Sequence, residues 1–419
     1  MPKRFDVLRD DVDERYFSPA DATARGVGAE VELLVHDAST NRPLPLLGAS
    51  RSVTSLLRRY APRARWTEVA GYGAVPRFLI DGQAIVSFEP GGQIEISTEP
   101  RATASSLVDS LDAIVPPLVD FFANEGVELR SAGIDPFNDA PSIPQQLPVD
   151  RYERMTRYFE HIGPFGIRMM RQTAAIQVSL DRGDRPAERW RLLNDLAPYL
   201  TAIFASSPRH AGVETGHASY RAHCWRNLDL TRTGMAGADA DPAGAYTRFA
   251  LAANDMMRTE ASGDYRPFEA WLLDDGDASR WGGHLSTLFP EVRPRGHFEV
   301  RSCDAVAPRW YAAPIVFLTG LTYDAHAARE ATLLASDSLA LLRSAGENGL
   351  RDVAIARTAR DLFQLALAGA RRLGGTYVHL RDLETAAEYY ATYTGRDRAP
   401  ADDQLLVVSP TFPATAALP

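Results

Sequence analysis

Residues 87–100 read "SFEPGGQIEISTEP". On both sides of Pro90-Gly91-Gly92 the residues have strand character, yet Glu89 and Glu95 stand where a sheet normally packs side chains. In an extended chain residues i and i+2 share a face. Gln93, Glu95 and Ser97 therefore project to one side, and Ile94 and Ile96 to the other. Glu89 lies across the glycine turn, where a bulge can reset the alternation.

Three other segments repeat the pattern. In "GVGAEVELLV" (26–35) Gly28, Glu30, Glu32 and Leu34 oppose Val31, Leu33 and Val35. In "RQTAAIQVSLD" (171–181) Arg171, Thr173, Gln177 and Ser179 oppose Ala174, Ile176, Val178 and Leu180. In "HFEVR" (297–301) His297, Glu299 and Arg301 oppose Phe298 and Val300. The solvated face of an antiparallel sheet alternates in the same way. Here, however, the polar positions are Glu and Gln with occasional Arg, flanked by small residues. Five carboxylates gathered on one face would repel one another unless cations sat between them. Hard divalent ions with oxygen ligands, chiefly Mg²⁺ carrying phosphates, satisfy that requirement. Zinc does not fit, because the chain has neither a Cys pair nor His-x-x-x-His on a helix.

The cationic complement falls in "SYRAHCWRNLDLTRTG" (219–234), where Arg221, Arg226 and Arg232 alternate with Trp225, Asp229 and Thr233. The planar guanidinium fork suits carboxylate and phosphate. Of the 45 Lys plus Arg residues only Lys3 is lysine. That excludes an internal lysine acting as a Walker A residue, a kinase phosphate anchor or a Schiff-base amine. "GVG" at 26–28 leads into a strand rather than a helix, so the dinucleotide fingerprint fails.

With 419 residues, 45% of them hydrophobic, the chain is long enough for a substantial core. A net charge of -9 repels nucleic acid and anionic lipid, so neither is an expected partner. No window reaches the roughly 20 apolar residues of a membrane span, and the N-terminal stretch lacks a signal-peptide core. Two cysteines, Cys224 and Cys303, are too few for a disulfide framework. The expected setting is cytoplasmic, with two buried structural thiols.

Helices are expected near 103–126, although Pro116-Pro117 should kink or divide that one, and also near 150–161, 186–204 and 245–273. Residues 127–150 read as a Pro-rich loop and 206–244 as a polar loop of the kind that carries function. Residues 308–394 are almost entirely helical in pattern. The expected organisation is one catalytic domain, 1–395, with its sheet core at about 26–305 and a helical section at about 306–395. A flexible tail is expected at 396–419.

In this order, "GAEVELLV", "SFEPGGQIEIS", "MMRQTAAIQVSLD", "YRAHCWRNLDLTRTG" and "HLSTLFPEVRPRGHFEVRSCD" resemble the signature blocks of the plant and actinobacterial type of glutamate–cysteine ligase. The resemblance covers about residues 26–325. It implies an α+β fold, similar to glutamine synthetase, in which a curved antiparallel sheet forms a funnel backed by helices, with a helical C-terminal section. It further implies ATP as co-substrate, two or three Mg²⁺, and joining of the glutamate side-chain carboxylate to the amine of cysteine through an acyl phosphate, by a monomer or homodimer. Carried over, Glu30, Glu32, Glu89, Glu95 and Glu299 fall at metal positions, with Gln177 and Thr173 beside them at the nucleotide. Arg157, Arg221 and Trp225 fall at substrate-binding positions, and Arg232 and Arg301 at catalytic phosphate or carboxylate positions. Arg171 and Gln172 stand in exchanged order relative to the family pattern, and Arg157 is one place from an expected arginine. These departures touch substrate recognition, so a different amine or acid is an open alternative. Two further alternatives are a guanidino phosphotransferase on a similar fold, which would need a reactive cysteine in the site, and a binding protein on a decayed site.

Overall fold

A computed structural model describes residues 2–48, 51–234 and 240–406. Its strands are β1 (Val27–Asp37), β2 (Thr67–Tyr72), β3 (Val75–Ile80), β4 (Ala84–Phe88), β5 (Ile94–Thr98), β6 (Val127–Arg130), β7 (Ile176–Leu180), β8 (Arg209–His210), β9 (Val213–Glu214), β10 (Val292–Pro294) and β11 (Phe298–Val300). All but β8 and β9 form one open antiparallel sheet in the order β10-β11-β7-β1-β5-β4-β3-β2, and β6 pairs with the distal half of β1. The expected α+β class with an antiparallel sheet holds.

The alternation in the sequence is a division between two environments. Val27, Ala29, Val31, Leu33 and Val35 of β1 join Ile94, Ile96, Ile176, Val178, Leu180, Phe298 and Val300 in the main core. Helices Ala104–Asn124, Pro186–Ile203 and Ala312–Tyr323 cover that face and contribute to the same core. Thr103 caps the first of these, its Oγ1 accepting from the Ser106 amide at 3.1 Å, and Pro116-Pro117 does not divide the helix. Helix Ala312–Tyr323 is buried along its whole length, which explains its nearly unbroken apolar sequence. The opposite face of the sheet carries the acids.

Four segments differ from expectation, the first being 245–273, which holds two helices, Pro242–Ala252 and Phe268–Asp275, with non-helical chain between them. The Pro-rich stretch contains β6, a short partner that completes the hydrogen bonding of β1. The polar loop holds the hairpin β8–β9 and helices Tyr220–Leu228 and Leu230–Thr233, while residues 235–239 lie outside the described residues. The segment following 396 is not all tail: Pro400–Leu406 is helical, Ala399 and Ala401 are buried, and the Ala401 amide donates to the Ala205 carbonyl at 2.9 Å. Residues 407–419 lie outside the described residues. Among the described residues no helix is long and apolar enough to cross a membrane.

One core acid makes a testable contribution. Asp195, in helix Pro186–Ile203, is buried with Arg191 at 3.8 Å, and burial pushes its carboxyl up to about 6. Between the unfolded value of 3.8 and about 6 the folded state holds the extra proton, so stability falls as pH rises through that window and stays lower above it. Asp195→Asn should therefore gain about 1–2 kcal/mol at pH 8 and much less at pH 4, read as the difference in urea midpoints.

Candidate active site

The sheet register brings the acids together. Glu32 of β1 lies directly opposite Glu95 of β5, and Glu30 lies between Ser97 of β5 and Gln177 of β7. Glu89 enters from the turn between β4 and β5, where its amide donates to the Gln93 carbonyl at 3.0 Å and the Gly92 amide donates back to Glu89 at 2.8 Å. The two glycines have separate reasons. Gly92 has φ +90, and a Cβ on Gly91 would overlap the Arg171 carbonyl. The turn thus holds Glu89 against the end of the helix Pro164–Gln172 that precedes β7.

Each acid is fixed by neighbours. Glu32 accepts from the Ala175 amide at 2.9 Å and from Gln177 Nε2 at 2.8 Å. Glu95 accepts from Ser87 Oγ at 2.7 Å and Ser97 Oγ at 3.1 Å. Oxygens of Glu32, Glu89 and Glu95 all lie within 4.8 Å of one another, a spacing that suits a cation. Burial first, then the neighbouring acids, pushes Glu32 up to about 7 and Glu30 up to about 8. Glu89 is held well above the usual carboxylate range by burial and then by Glu95 and Glu32. Such crowding is relieved by bound positive charge, so this donor set fits Mg²⁺.

The acids form one wall of a cavity of about 370 Å³. The same cavity carries cations. Arg221 and Arg301 lie over the Trp225 ring, with guanidinium carbons 4.9 and 5.5 Å from its centroid. Trp225 is held by its Nε1 donating to the Phe289 carbonyl at 2.9 Å. Arg221 donates to the Arg301 carbonyl at 2.9 Å, and Asp304 stands behind it at 3.8 Å. Asp304 itself accepts from the Ser206 amide, Ser207 Oγ and Ser219 Oγ. Arg301 donates to Gln177 Oε1 at 2.6 Å, so one glutamine joins acid and cation, with its amide on Glu32 and its carbonyl on the guanidinium.

The chain from 26 to 388 matches glutamate-cysteine ligase family 2. The chain belongs to that family. It is similar to the glutamate–cysteine ligase EgtA of Mycobacterium tuberculosis, at 33% identity over 344 residues, covering 77% of each chain. It is also similar to the chloroplastic glutamate–cysteine ligase A of Oryza sativa subsp. japonica, at 28% identity over 374 residues, covering 83% of this chain and 75% of that one. In fold it resembles the crystal structure of a glutamate–cysteine ligase from Francisella tularensis in complex with AMP. That match has a TM-score of 0.53 and 13% identity, covering 93% of this chain and 85% of the other.

Of the residues expected at a family-2 site, Glu30, Glu32, Glu89, Glu95, Thr173, Gln177, Arg221, Trp225 and Arg301 line the cavity. Three expected residues do not. Arg157 is exposed on helix Asp150–Ile162, beside Tyr265. Arg151, on the same helix, lines the cavity instead and donates to the Ser286 carbonyl at 2.8 Å. Arg232 is fully buried and committed elsewhere: to Asp229 at 3.2 Å, to Thr287 O and Oγ1 at 2.9 Å each, and to the Asn254 carbonyl. It ties the helix Leu230–Thr233 to the segment after Leu285. Arg232→Lys should cost about 3 kcal/mol of stability, because lysine's compact ammonium cannot reach all four acceptors. The substrate KM values of the folded enzyme should not move.

Glu299 is also set apart. It is fully buried, and Arg293 at 2.7 Å, Arg301 at 2.7 Å and Arg295 at 3.1 Å occupy both its oxygens. In this arrangement it is the counter-ion of three arginines, outside the converging triad. Arg293, Arg295 and Tyr152 also line the cavity and escaped the sequence reading, while Gln93, placed there on the acidic face but given no role, lines it too. Continuing the alternation of "HFEVR" back across Gly296 would have found Arg293, which pairs directly opposite Glu299.

Proposed function

We propose that this chain is an ATP-dependent glutamate–cysteine ligase, forming γ-glutamylcysteine through an acyl phosphate, with residues 1–395 acting as one catalytic domain. The observation that carries this reading is one cavity lined by both three converging carboxylates and buried guanidiniums. Glu32, Glu89 and Glu95, with Glu30 beside them, would hold Mg²⁺, which supplies charge neutralisation for the polyphosphate. Arg221 and Arg301, stacked on Trp225, would bind the substrate carboxylate and the transferring phosphoryl group with a fixed fork geometry. A carboxylate acylates poorly, so its oxygen attacks the γ-phosphorus of ATP and ADP leaves. The amine nitrogen then attacks the acyl carbon, phosphate leaves, and the amine proton passes to solvent or phosphate. The chain's part is alignment and charge placement, the main requirements of phosphoryl transfer.

The guanidino phosphotransferase reading is disfavoured by the thiols. Both cysteines are buried, neither lines the cavity, and burial pushes Cys224 up to about 12 and Cys303 higher. The deciding experiment supplies ATP, Mg²⁺, glutamate and each amino acid in turn, reading phosphate release and product mass. Phosphate release that requires both glutamate and cysteine supports the reading, and release independent of any amine overturns it. Arg221→Ala should raise the KM for the acid about 10- to 100-fold with a smaller change in kcat. An unchanged KM would make Arg221 a structural residue only.

A further inference from the structure

Gln93 is only 3% exposed, lines the cavity and has one half of its amide unsatisfied. Its Nε2 donates to the Thr173 carbonyl at 2.9 Å. Because a carbonyl only accepts, that bond fixes which end of the amide is nitrogen, leaving Oε1 as the free end. Among the described residues no protein group donates to this oxygen. A buried acceptor left unpaired costs about 1–3 kcal/mol, so the position calls for a donor from the cavity, water in the free protein and a ligand group when substrate is bound.

The chemistry of the missing donor is constrained. Gln93 sits two residues before Glu95 on the same face, and across the turn from Glu89. A donor placed there is favoured if it is cationic. In the reaction proposed above, each of the two amino acids brings one amine nitrogen to the cavity. The acceptor amine must surrender a proton as it attacks, and a neutral amide oxygen is no base. The α-ammonium of the acid substrate keeps its protons throughout, and a rigid neutral acceptor suits it.

Resting on that reading, we infer that Gln93 Oε1 accepts a hydrogen bond from the α-ammonium group of the acid substrate, making Gln93 a specificity-determining residue for amino acids over plain dicarboxylates. The tether to Thr173 links this contact to the loop that places the Ala175 amide on Glu32, so ammonium recognition and the acidic wall share one support.

The test compares glutamate with glutarate, which has the same two carboxylates and no ammonium. Dissociation constants are read by calorimetry in the presence of Mg²⁺ and a non-hydrolysable ATP analogue. The wild-type protein should prefer glutamate by about 10- to 100-fold. Gln93→Met should abolish most of that preference by weakening glutamate while glutarate changes less than about threefold. Gln93→Glu restores an oxygen acceptor and should restore the preference. It also serves if the methionine variant fails to fold, since a role confined to the Thr173 tether predicts that it weakens both ligands alike. Equal weakening of both ligands in either variant, or weaker Mg²⁺ binding with the preference intact, overturns the inference in favour of a structural or metal-ligating role. Failure of the ligase reading is distinct: the wild-type protein would then show no glutamate-dependent phosphate release.

Discussion

Glu95→Gln is expected to lower turnover at saturating ATP and Mg²⁺ by about 100- to 1,000-fold while leaving the fold intact or slightly more stable. Glutamine keeps the oxygen that accepts from Ser87 and Ser97, so the local hydrogen bonds survive. What disappears is one of three converging negative charges. The protein alone gains from this, because Glu89 and Glu32 are both pushed up by Glu95. A loss of activity with unchanged or raised thermal stability separates a functional acid from a structural one. The Mg²⁺ concentration needed for half-maximal rate should rise in the same variant. Turnover within about threefold of the parent would contradict the assignment of the triad.

The strands that build this triad were legible because period-2 alternation is local. Glu30 and Glu32 on one face of β1, and Glu95 and Ser97 on one face of β5 with Gln93 just before it, follow from residue order alone, whereas the need for Gly91, set by the distant Arg171 carbonyl, does not. Pairing register was not legible, although it decides which acids meet: Glu32 opposite Glu95 is a fact of strand alignment. The arginines show the limit more sharply. Arg221, Arg226 and Arg232 share one short, weakly periodic stretch. Arg221 reaches the cavity, Arg226 pairs with Glu291, and Arg232 is consumed by backbone carbonyls of distant segments. Their different fates depend on long-range neighbours that no spacing rule contains. The hairpin β2–β3 was missed for a related reason, since β2 is an edge strand exposed at every second residue and carries little apolar signal.

Glu299→Gln should be the most destabilising single change at the site, costing about 3–5 kcal/mol. The wild-type carboxylate is fully buried, and the three surrounding arginines hold it far below the usual carboxylate range. A depressed acid contributes stability that is present above its unfolded value of 4.5 and lost only as pH falls through the much lower folded value, so the pairing persists through mildly acidic conditions. Removing the negative charge leaves Arg293 and Arg301 buried without their counter-ion. Arg301 then loses the contact that, together with Gln177, holds it in the cavity wall, so the folded fraction should also lose substrate affinity. A double-mutant cycle makes the cause explicit. Glu299→Met combined with Arg301→Met should be less destabilising than the sum of the two single changes by about 1–3 kcal/mol, because the charge that Glu299→Met strands on Arg301 is absent from the double variant, while Arg293 is stranded in both. Additive effects in denaturant titrations would show that the two side chains are not coupled, and that the arginine wall does not depend on this buried acid.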